Sequence, residues 1–74
     1  MTVCELLKAA WDYEWVCVED DDYNVFVEDE AQFVRKSKEI RGLKVVCFQS
    51  GIRSNRQCTV IIAERKKSVP SNSY

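Results

Sequence analysis

The chain has 74 residues, 46% hydrophobic and 31% charged, with four cysteines and no histidine; that is room for one domain, too apolar for a disordered chain. It contains no run of 18 apolar residues and no basic start leading into an apolar stretch, so neither a membrane span nor a secretory signal is read and the expected location is cytoplasmic. The net charge of −1 hides a split: residues 1–34 hold ten acids against Lys8, a net of −9, and residues 35–74 hold ten bases against Glu39 and Glu64, a net of +8, which points to charged partners or head-to-tail self-association.

Thr2 followed by Glu5 is a capping box ahead of an apolar run, so a helix is expected there. Val3, Leu6, Leu7, Ala10 and Trp11 fall on one stripe of that helix. From Tyr13 to Val18 and from Tyr23 to Glu28 the period changes to two, with Glu19 to Asp22 as a polar turn. With Val18 facing Tyr23 across that turn, Val16, Val18, Tyr23, Val25 and Val27 share one face. Trp15, Cys17 and Phe26 then share the other. Glu28, Asp29 and Glu30 read as the acidic entry of a second short helix, AQFVRKSKEI, which Gly42 ends. LKVVCFQ (43–49) and CTVIIAE (58–64) form a second hairpin around a long loop, SGIRSNRQ, with Gly51 and Asn55 as turn formers. Both runs are apolar on both faces and belong in the centre of the sheet.

The expected fold class is therefore α+β: a small four-stranded, mainly antiparallel sheet in α-β-β-α-β-β order with two short helices on one face. Residues 1–65 make the domain and residues 66–74 a flexible basic, Ser-rich tail. TVxELL at the start, VxVxDDD in the first hairpin and the closing VIIAE resemble small proteins of unknown function from phages and mobile elements of Gram-positive bacteria. The likeness covers about residues 2 to 64, with Cys4 where a Lys is usual and an Arg-bearing loop before the last strand. It implies a phage origin, and with it a protein that binds and blocks a host protein such as a defence nuclease.

Val18 to Glu30 packs seven carboxylates into VEDDDYNVFVEDE. Asp20, Asp22 and Asn24 fit positions 1, 3 and 5 of a calcium loop, but Val25 stands where Gly is needed and Ala31 where Glu is needed, so no metal is expected. No histidine, Gly-rich phosphate loop or GxSxG is present, and no enzyme activity or cofactor is expected. The four cysteines, Cys4, Cys17, Cys47 and Cys58, sit in apolar stretches and read as buried free thiols, with two disulfides or a cysteine-only zinc site as alternatives. Three surfaces remain as candidates. Glu19, Asp20, Asp21, Asp22, Glu28, Asp29 and Glu30 would dock on a host nucleic-acid-handling protein, such as a CRISPR effector, by imitating phosphates. Arg53, Arg56, Arg65, Lys66 and Lys67 would instead bind nucleic acid directly. Trp15, Cys17 and Phe26 would form a homodimer contact. The bland counterparts are solvated charged faces, and Trp11, Trp15 and Phe48 as core.

Overall fold

The computed structural model describes residues 1–65, and the expected tail, with Lys66 and Lys67, lies outside the described residues. Thr2 caps α1 (Val3–Leu7): its hydroxyl accepts from the Glu5 amide at 3.1 Å while the Glu5 carboxylate accepts from the Thr2 amide at 2.8 Å. Tighter i→i+3 bonds carry the chain on to Ala10. The carbonyls left open there are taken by a distant cation, since Arg35 Nε donates to the Leu7 carbonyl at 2.9 Å and Nη2 to that of Ala10. Val3 and Leu7 are buried, with Leu6 and Ala10 packed beside them. Trp11 lies beyond the helix and is 68% exposed, edge-on to Tyr13 with ring centroids 5.2 Å apart.

β1 (Trp15–Glu19) and β2 (Val25–Glu30) pair antiparallel, with Val18 opposite Val27 and Val16 opposite Asp29. The expected partner of Val18 was Tyr23, four residues earlier. Asp20 explains the shift: Oδ1 accepts from the Asp22 and Asn24 amides at 2.8 and 2.9 Å, and Tyr23 takes a positive φ of 66°. Tyr23 and Asn24 are thereby used up by the turn. A register shift between Val18 and Glu19 then separates Phe26 from Trp15 and Cys17, and Phe26 packs on the helix side of the sheet instead.

Glu28, Asp29 and Glu30 are the end of β2, which runs straight into the second helix, so that Glu30 is also its N-cap residue. The second helix is shorter than its pattern suggests: α2 covers Ala31–Val34, and a 3-10 turn at Lys38–Ile40 follows. Its first amides are satisfied by backbone, Ala31 donating to the Glu14 carbonyl at 2.8 Å and Gln32 to that of Asp12 at 3.0 Å, so no side-chain cap is required.

β3 (Leu43–Arg53) and β4 (Arg56–Arg65) extend through the expected loop. Only Ser54 and Asn55 form the turn, both with positive φ, 54° and 60°, the conformation that matches strand twist in a tight hairpin. The sheet order is β2-β1-β4-β3, with β1 parallel to β4 through Val16–Thr59 and Val18–Ile61. The sheet is thus mixed, not mainly antiparallel. β1 and β4 are the strands most buried on both faces, and placing them side by side covers both. β3, expected at the centre, is an edge.

α1, α2 and the 3-10 turn pack on one face of the sheet, burying Val3, Leu7, Val34 and Ile40 against Val16, Val18 and Ile61. On the opposite face Cys17, Cys58 and Val60 make a second, smaller core beside Trp15 and Ile62. No helix among the described residues is long and apolar enough to cross a membrane.

Candidate functional site

The charged residues divide into those bound inside the fold and those left over. Glu19 continues the alternation of Trp15 and Cys17 and so points at the small core, where it is 2% exposed. Arg53 meets it with two hydrogen bonds of 2.9 Å each, and the Cys17 thiol donates to the same carboxylate at 3.3 Å. Gly51 lies close under Val60: a Cβ there would be 3.0 Å from Val60 Cγ2, and in ordinary contact with Arg53 Nη1 at 3.6 Å. Those Arg53 hydrogen bonds hold the Glu19 carboxyl below the usual range despite its burial, and the Arg53 guanidinium is correspondingly harder to deprotonate. Burial first, then the hydrogen bond to Glu19 and its charge, push the Cys17 thiol up to about 12.

Arg56 lies 4.1 Å from the ring centroid of Trp15, whose Nε1 donates to Glu28 at 2.7 Å. This cation–π contact closes the other end of the small core. Arg53 and Arg56, read from the sequence as phosphate ligands, are therefore engaged within the fold. Arg65 ends β4, and its side chain lies outside the described residues. Trp15 is half-buried and Cys17 fully buried, so with Phe26 on the other face these three form no common apolar surface. Cys17 and Cys58 are the buried free thiols expected, but Cys4 and Cys47 are exposed ones.

The left-over acids lie along β2 and its turn. Asp20, Asp21 and Asp22 have carboxylate oxygens within 4.8 Å of one another, with Asp21 and Asp22 exposed. The Asn24 amide holds the Asp20 carboxyl below its ordinary range. Glu28, Asp29 and Glu30 follow on the half-exposed edge strand. Among the described residues the two ion pairs use Asp12 and Glu19. Among the described residues, six carboxylates of the 20–30 segment thus have no cation partner, Glu28 accepting instead from Trp15 Nε1. The chain matches no family model, no curated protein and no solved structure.

An open cleft of about 380 Å³ runs between α1 and the sheet, lined by Leu6, Ala10, Val16, Phe48, Thr59 and Ile61. Thr59 donates to the Glu14 carboxylate at its rim, which ties the segment before β1 to β4. Two structural residues escaped the sequence reading. Arg35 carried no signal beyond its charge. Gly51, two residues before an arginine in a β-branched stretch, was the one available sign of a close approach over a strand.

Proposed function

We propose that this is a non-enzymatic binding protein whose acidic β2 edge docks into the basic groove of a nucleic-acid-handling host protein and blocks it. One observation supports this reading above others: Asp20, Asp21, Asp22, Glu28, Asp29 and Glu30 lie along one strand and its turn without a basic partner among the described residues. Carboxylates that crowd together repel, and a basic surface that meets them removes that repulsion. Glu19 is not part of the surface, because its carboxylate is spent on Arg53. A phage or mobile-element source fits a small blocking protein and belongs to the same proposal.

Direct nucleic-acid binding is the competing reading, and an electrophoretic shift assay separates the two. The protein alone should leave both DNA and RNA unshifted at low salt, because the acidic edge repels them. A shift that disappears at moderate salt would overturn the docking reading in favour of phosphate binding by the basic half.

A further inference from the structure

Among the described residues, the outer edge of β3 is covered only at its start, where Thr2 bridges to Lys44 and the Val45 amide donates to the Met1 carbonyl at 2.9 Å. From Val46 to Arg53 the strand has β4 on one side and, among the described residues, no strand on the other. Val46 to Ile52 reads VCFQSGI, without a charge or a proline. Val46, Phe48 and Ile52 are 58%, 56% and 69% exposed. A long, neutral, apolar edge is a template for a further strand, and such edges are ordinarily guarded by lysine, proline or a covering element. The one guard here is a register shift between Val45 and Cys47, which leaves the strand from Cys47 to Arg53 regular.

Charge selects what fits that edge. Two β2 edges side by side would set Glu28, Asp29 and Glu30 against their own copies, which costs free energy. A β2 edge laid on β3 would find no cation between Val46 and Ile52. Two β3 edges meet with neither difficulty. We propose that the protein is a homodimer in which the β3 strands of two copies pair antiparallel through Val46–Ile52, about a twofold axis perpendicular to the sheet. The two four-stranded sheets then join into one of eight strands. That axis keeps the helices of both copies on the same side, so each Phe48 approaches its counterpart on the face where it lines the open cleft. The contact is isologous and closes at two copies. Both acidic β2 edges stay at the outer ends, accessible to a partner.

Light scattering on the full chain across low-micromolar to submillimolar concentration tests this, and a dimer is expected. Phe48→Lys places like charges on diagonal positions across the seam, and Val46→Lys independently sets a lysine against Ile52 of the second copy; each should weaken the dimer by about tenfold or more, with circular dichroism reporting the fold. The pair Asp21→Lys and Asp22→Lys should leave the dimer unchanged. A monomer throughout, a larger polymer, or a dimer that survives both seam variants in folded form overturns the proposal. So does a dimer that the Asp21 and Asp22 replacements dissolve. Should both seam variants unfold, hydrogen exchange on the unaltered protein decides. Protection at 46–53 that rises with concentration is expected, and exchange there independent of concentration overturns the dimer.

Discussion

Glu19 is the residue on which the far face of the sheet depends. Its carboxylate joins β1 to the tip of the β3–β4 hairpin through Arg53 and receives the Cys17 thiol. Removing the charge leaves Arg53 without its partner, so Glu19→Gln should cost about 1–3 kcal/mol at neutral pH, read by urea denaturation. The pH dependence has a definite sign. A carboxyl whose pKa is lower in the folded chain stabilises it fully above the unfolded value and ceases to do so as pH falls through the folded one. Unaltered protein should therefore lose stability below about pH 4.5, the ordinary value for this group, and Glu19→Gln should lose less over the same interval. Equal acid sensitivity in the two proteins would contradict this role. Thiol chemistry offers a second check at the same scale. Cys4 and Cys47 are exposed, whereas Cys17 and Cys58 are buried with raised pKa values. Ellman's reagent should label two thiols rapidly in the native protein and the other two only on unfolding.

At the scale of elements, the β3–β4 hairpin is where local chemistry and packing can be separated. Gly51→Ala forces a methyl group to 3.0 Å from Val60, and should cost about 1–3 kcal/mol. Ser54→Gly relieves a left-handed residue in the turn and should stabilise by about 0.5–1 kcal/mol. Thermal denaturation of the two variants should move in opposite directions; a neutral Gly51→Ala would mean that Val60 gives way to the methyl group. The existence of β1 and β2 was legible from period-two alternation and that of β3 and β4 from β-branched runs, and the face shared by Val16, Val18 and Val27 survived because the register moved by an even number of residues. The register itself was not legible, since it depends on how the Asp20 side chain folds the turn around Tyr23. Nor was the parallel β1–β4 contact, because a run such as CTVIIAE is apolar on both faces and carries no mark of direction. Glu19 looked like one more turn acid beside three aspartates, though its place in the alternation after Trp15 and Cys17 was the available sign of burial.

For the whole molecule, the sheet order matters most. β1 and β2 come from the acidic half of the sequence and β3 and β4 from the basic half, so the order β2-β1-β4-β3 keeps the two halves side by side instead of interleaving them. The fold then draws Arg35, Arg53 and Arg56 into internal contacts and leaves the β2 side with carboxylates that have no basic partner among the described residues. The six acids that remain at that edge are the ones the sequence singled out, less Glu19. The most direct test of their role is capture of proteins from a bacterial host lysate by the unaltered chain and by a variant carrying Asp21→Lys, Asp22→Lys and Glu30→Lys. The account predicts that nucleic-acid-binding proteins are retained at low salt, are released by added DNA or RNA, and are absent from the charge-reversed variant. Retention of the same proteins by both chains, with no release by nucleic acid, would contradict it.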